Sequence, residues 1–235
     1  MADKGTESIS QTEVQIPANG HQLKGTLNLP AGCKSVVIFA HGSGSGRFSP
    51  RNQFVASSLQ AAGIGTLLMD LLEENEEDDR EKVFDIELLA GRLQSAADWL
   101  RRRVDTQKCG LGYFGASTGA AAALVAAARN QEDVGAVVSR GGRPDLAADY
   151  LPRVKAPTLL IVGGNDDVVI ALNKEALALL HCPKQMIVIP GASHLFVEPG
   201  ALEDVARLAS EWFTHFGSTF APLGGLSPRE NAQPR

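Results

Sequence analysis

Short apolar runs recur along this chain at residues 36–40, 64–69, 110–114, 136–138, 158–162 and 185–189, and helical stretches separate them. A strand that is apolar at nearly every position needs both of its faces buried, and central strands of a parallel sheet have that surrounding. Alternation of such strands with helices predicts an α/β architecture: a mostly parallel sheet with helices on both faces. Ahead of the first run, residues 12–16 and 22–29 flank Asn19-Gly20, a pair that accepts the positive φ of a tight turn, so a hairpin opens the domain. Leu89, Leu93, Ala96 and Leu100 recur at spacings of three and four, as do Leu202, Val205, Ala209, Trp212 and Phe216. Each series makes an apolar stripe that docks on the sheet, and Trp99 and Trp212 are expected in the core.

A chain of 235 residues fits one domain of this type. We expect it over residues 1–216, with a loose tail at 217–235 marked by Pro222, Gly224, Gly225, Pro228 and Pro234. The net charge of −5 gives no electrostatic case for nucleic acid or an anionic membrane as partner. Residues 1–11 are polar, without the apolar segment of a secretory signal, and the purest apolar stretch, 120–128, is too short to span a bilayer. Cys33, Cys109 and Cys182 are scattered and odd in number, which fits neither a disulfide framework nor C-x-x-C metal spacing. The chain reads as soluble and cytoplasmic, and its oligomeric state is not written in the sequence.

Ligands of open parallel sheets bind at the carboxyl ends of the strands, so the residues just past each run carry the functional signal. After 36–40 comes His41-Gly42-Ser43-Gly44-Ser45-Gly46-Arg47; after 64–69, Asp70; after 110–114, Gly115-Ala116-Ser117-Thr118-Gly119. Ser139 and Arg140 follow 136–138, Asn165-Asp166-Asp167 follow the fifth run, and Gly191-Ala192-Ser193-His194 follow the last. A serine, an acid and a histidine therefore share one edge in that chain order. The glycines at 115 and 119 let the chain turn sharply from strand into helix, presenting Ser117 at a helix N-terminus that favours developing negative charge. All three cysteines precede their strands and lie at the other edge.

On these residues the chain resembles the α/β-hydrolase superfamily, and within it the dienelactone-hydrolase-like branch. The resemblance rests on His41-Gly42, the elbow around Ser117, the stretch from Gly163 to Val169 with Asp166, and Gly191-x-x-His194. It implies a mostly parallel sheet of about eight strands, a Ser117–His194–Asp166 triad, an oxyanion held by the backbone N–H groups of Thr118 and Ser43, no large lid, and no metal or organic cofactor. Family spacing favours Asp166 over its neighbour Asp167 as the acid. Dienelactone hydrolases carry a cysteine nucleophile, so Ser117 favours a general esterase for small carboxylic esters over dienelactone itself. Lactone or thioester hydrolysis is the alternative, and a non-catalytic binding protein on the same scaffold is a third. The resemblance also implies a structural role for His41.

Arg47 and Arg51 follow one strand of the functional edge, and Arg140 and Arg143 follow another. The resemblance implies that arginine grips a substrate carboxylate, with Arg140 and Arg47 as the candidates; pairing with loop acids such as Glu73 or Asp145 is the plainer role. The acidic stretch 72–82 lies on the same edge, either covering the site or standing in solvent. A nucleotide site is disfavoured, because Arg47 occupies the third glycine position of a G-x-G-x-x-G motif begun at Gly42.

Overall fold

The computed structural model describes residues 9–217, so the expected tail beyond Gly217 lies outside the described residues. Strands β1 (Ile9–Ala18) and β2 (His21–Pro30) form the expected hairpin. Ala18 pairs with His21, and the intervening Asn19 and Gly20 hold φ of 48° and 87°, the conformation that matches the twist of paired strands. There follow β3 (Ser35–Ala40), α1 (Pro50–Ala61), β4 (Gly65–Met69), the single turn α2 (Arg80–Val83) and α3 (Ile86–Arg102). The chain continues through β5 (Gly110–Ala116), α4 (Thr118–Arg129), β6 (Val134–Arg140), a 3-10 stretch (Pro144–Arg153) and β7 (Thr158–Gly163). It closes with α5 (Asp167–Leu179), β8 (Lys184–Ile189) and α6 (Ala201–Gly217).

The eight strands form one sheet in the order β1-β2-β4-β3-β5-β6-β7-β8. Pairing is antiparallel for β1 with β2 and β2 with β4, and parallel from β4 to β8. Two core layers flank this sheet. Val36, Ile38 and Ala40 of β3 pack into the layer of α3 and α4, while Val37 and Phe39 pack into the layer of α1 and α6. That division explains the unbroken apolar runs. In α4 every residue from Thr118 to Ala128 is buried, so the alanine-rich stretch is a helix enclosed by its neighbours.

Three details differ from the sequence reading. The buried face of α6 centres on Val205, Ala209 and Phe213, with Leu202, Trp212 and Phe216 at its margin, a rotation of about one residue. Trp99 and Trp212 are thus only partly buried; Arg103 stacks on the first, and the second donates its indole N–H to Pro157 O. The sixth strand runs on to Arg140, which is therefore its last residue rather than part of the following loop.

Candidate active site

The elbow between β5 and α4 sets the geometry. Ser117 has φ 51° and ψ −122°, a backbone state that side-chain-bearing residues seldom adopt and that costs on the order of 1–3 kcal/mol. Its neighbours permit it through their small size. A Cβ on Gly115 would lie 2.4 Å from Ala120 Cα, and one on Gly119 would lie 2.3 Å from Ala40 O, so neither position admits a side chain. The turn is tied to the end of β6 by a bond from Ser117 N to Arg140 O (3.3 Å), and to the loop beyond it by one from Arg143 N to Ser117 O (3.1 Å).

Asp166 caps α5, and its Oδ2 lies 2.7 Å from Nδ1 of His194 in the loop after β8. Asp167 is the first residue of α5 and is exposed, while the carboxylate that His194 meets is that of Asp166. The bond to the carboxylate puts the imidazole proton on Nδ1 and leaves Nε2 as a free lone pair. The same loop is braced from behind, where Ser193 N donates to Glu198 at 3.0 Å. A Cβ on Gly141 would stand 3.6 Å from His194 Cε1, which fixes the ring at the end of β6. Since Arg140 and Ala116 are register partners, the imidazole and Ser117 stand over adjacent strand ends. The structure thus brings Asp166 and His194 into contact and sets Ser117 over the neighbouring strand end.

The loop after β3 approaches from the other side. Ser43 N donates to Thr118 Oγ1 at 3.1 Å, so the two proposed oxyanion positions adjoin each other. The Thr118 amide, at the first position of α4, has no intrahelical acceptor. His41 holds this loop: Leu71 N donates to its Nε2 at 2.9 Å, so the proton sits on Nδ1 and is given to Gly42 O, also at 2.9 Å. Burial pushes the His41 pKa down, which keeps the ring neutral and suits a structural role.

Beside these residues lies a cleft of about 1060 Å³. It reaches Ser43 and Thr118 and extends away from Ser117 and His194, between the loop after β3 and the acidic segment. That segment is a wall of the cleft, held by Glu76, which is buried and paired with Arg92 and Lys82. His21, Glu73 and Glu76 bring possible metal-ligand atoms within 4.8 Å of one another. Their charges are already engaged, since His21 bonds Glu73 at 2.7 Å and Glu76 serves two cations.

The arginines divide sharply. Arg47 pairs with Asp70, which also accepts the Arg47 N–H at 2.8 Å, and stacks 4.1 Å over Phe48. Arg143 makes a two-point pair with Asp145 at 2.8 and 2.9 Å. Among the described residues Arg140 meets no acid, only Asn52 Oδ1 at 3.4 Å and the Phe196 ring. Burial, with the Arg51 charge added, draws its pKa down to about 10, which leaves it cationic at neutral pH. Asn52 and Phe196 were not foreseen. Neither belongs to a strand-end motif, and only folding carries them to the end of β6.

An eight-stranded sheet, a strained serine at the strand-to-helix elbow and an Asp–His pair at two later strand ends define the α/β-hydrolase class. Within that class the chain belongs to the dienelactone hydrolase family, whose sequence model matches residues 24–222. A dienelactone hydrolase crystal structure from Anabaena variabilis is 58% identical, covers 88% of this chain and 98% of its own, and superposes with a TM-score of 0.86. Est1E from Butyrivibrio proteoclasticus shares the fold at 15% identity and a TM-score of 0.72, covering 86% of this chain and 98% of its own. Two Mycobacterium tuberculosis strains have proteins named "Putative phosphoribosyl transferase" that are 57% identical over 205 residues, 87% of this chain. The match covers 46% of those proteins, so this chain spans about half their length.

Proposed function

We propose that this protein is a serine hydrolase of small carboxylic esters, acting through an acyl-enzyme on Ser117. The observation that carries the reading is the 2.7 Å contact between Asp166 and His194 beside a serine in the strained elbow conformation. Ser117 Oγ attacks the ester carbonyl carbon while its proton passes to His194 Nε2. The carbonyl oxygen becomes an oxyanion facing the amides of Thr118 and Ser43, the latter exchanging the Thr118 hydroxyl for the stronger acceptor. Collapse breaks the ester C–O bond, and the leaving alkoxide takes the proton from His194. Water then attacks the acyl carbon, gives its proton to His194, and the proton returns to Ser117 as the acid departs. Asp166 fixes the tautomer and offsets the transient imidazolium charge.

Arg140 is assigned to an anionic group on the substrate, since it alone of the two candidate arginines has no internal acid. Arg47, engaged by Asp70, shapes the cleft wall. Three free cysteines support a reducing, cytoplasmic setting. Among the described residues no helix is long and apolar enough to cross a membrane. The transferase name of the longer relatives describes proteins of which 46% is matched, and it supplies no reaction for this chain.

The test is hydrolysis of p-nitrophenyl acetate together with fluorophosphonate labelling. Wild type should turn over the ester and carry the label on Ser117, and Ser117→Ala should lose both while remaining folded. Turnover within tenfold of wild type in the folded variant, or an adduct mapped by mass spectrometry to another residue, overturns the assignment.

A further inference from the structure

Most buried or half-buried arginines of this protein face a carboxylate. Arg92 meets Glu76, Arg101 meets Asp133, and Arg47 meets Asp70. Arg140 does not, although it is only 7% exposed. Its Nε is buried without a hydrogen-bond partner, as are those of Arg51, Arg47 and Arg101. The last two reach acids through their other nitrogens, whereas among the described residues Arg51 and Arg140 reach none. The two belong to one place. Arg51 precedes Asn52 in the first turn of α1, and Asn52 is the residue whose amide oxygen accepts from Arg140. Phe196 closes the other side, its ring centroid 5.9 Å from the Arg140 guanidinium carbon. Arg51 also lines the cleft that reaches Ser43 and Thr118.

A buried guanidinium without an anion is costly, and two that repel each other are more so. Such an arrangement gains when a ligand supplies the missing charge. The first turn of α1, a helix of 12 residues, adds a positive end at the same spot. A carboxylate would offset one of the two charges. A phosphate monoester, carrying about −1.5 to −2 at neutral pH and three acceptor oxygens, matches both and can take the planar donors of each arginine.

We propose that Arg51, Arg140 and the start of α1 form a receptor for a phosphoryl group, so that the substrate is an ester or lactone carrying a phosphate monoester remote from the bond cleaved. The inference rests on the hydrolase reading for the ester, but the anion receptor stands independently of Ser117. The phosphate is a handle and undergoes no reaction. Its bound position beside the cleft orients the ester towards the oxyanion amides.

Calorimetric titration with inorganic phosphate, and in parallel with acetate, tests this on wild type, Ser117→Ala, Arg51→Met and Arg140→Met. Phosphate is expected to bind wild type and Ser117→Ala alike, at least tenfold more tightly than acetate. Each arginine variant should weaken phosphate binding at least tenfold. Arg51 is partly exposed, so Arg51→Met keeps the test decisive even if Arg140→Met fails to fold. No phosphate binding, equal affinity for acetate, or unchanged binding in a folded arginine variant overturns the proposal. Ester turnover without phosphate binding removes the receptor and leaves the hydrolase, whereas phosphate binding without turnover of any ester leaves the receptor and removes the hydrolase.

Discussion

Ser117 holds its strained backbone because everything near it is fixed by something else: two glycines without room for a methyl group, and hydrogen bonds to the end of β6 and to the loop that follows it. Asp166 is held with similar economy, since one carboxylate both caps α5 through Val169 N and accepts from His194. These roles separate it from the adjacent Asp167. On the proposed mechanism, Asp166→Asn mis-sets the His194 tautomer and should reduce kcat for an ester by about 10³–10⁴-fold. Asp167→Asn should stay within a few-fold of wild type. Steady-state kinetics on the two folded variants decides the matter, and a reversed order transfers the role to the neighbour. The sequence alone could name both aspartates as strand-end acids. It favoured Asp166 through family spacing, and the physical reason, the direction in which a helix cap points, belongs to the folded loop.

At the scale of elements, the segment between β4 and α3 shows how an acidic run becomes a wall rather than a solvated loop. Arg92, on the buried side of α3, donates to Leu71 O at 2.6 Å and to Glu76 Oε1 at 2.9 Å, which pins the segment from beneath. Those bonds from Arg92, with smaller help from the Glu73 N–H and from Lys82 and against the opposing effect of burial, hold the Glu76 pKa at about 2. The value lies below that of an unfolded glutamate, so the stabilisation is complete above pH of about 4 and is lost as pH falls through about 2. A difference of that size corresponds to on the order of 3 kcal/mol. Glu76→Gln should therefore lower Tm at pH 7 by about 6–12 °C, at roughly 2–4 °C per kcal/mol for a domain of this size. Thermal melts between pH 7 and pH 3 should show the gap to wild type narrowing at the acid end. A gap independent of pH would mean that Glu76 acts through packing rather than charge. The acidic stretch 72–82 in the sequence gave no hint of this pairing, because the partners are 16 residues apart on different elements.

For the whole molecule, the sheet divides two layers that do unequal work. One, with α3 and the alanine-rich α4, backs the elbow; the other, with α1 and α6, carries Asn52, Arg140 and Phe196 to the edge of the site. Phe213 of α6 packs closely against Gly112 of β5, where a Cβ would come within 2.8 Å of the ring. Phe213→Ala should cost about 3–5 kcal/mol by opening a cavity there. Denaturant unfolding measures this, and a loss under 1 kcal/mol would show that the layer collapses to fill the space. What the sequence determined by itself was local and periodic. Runs of apolar residues specified strands buried on both faces, Asn19-Gly20 specified the hairpin turn, and small residues around Ser117 specified the elbow, since each depends on neighbours a few positions away. Chain order then put Ser117, Asp166 and His194 at one edge. Tertiary structure alone decided which arginines are neutralised. Arg47 and Arg143 found acids, while among the described residues Arg140 met only Asn52, 88 residues away, and an aromatic ring. Pairing of charges depends on distances between side chains from separate elements, and neither periodicity nor motif spacing encodes those distances.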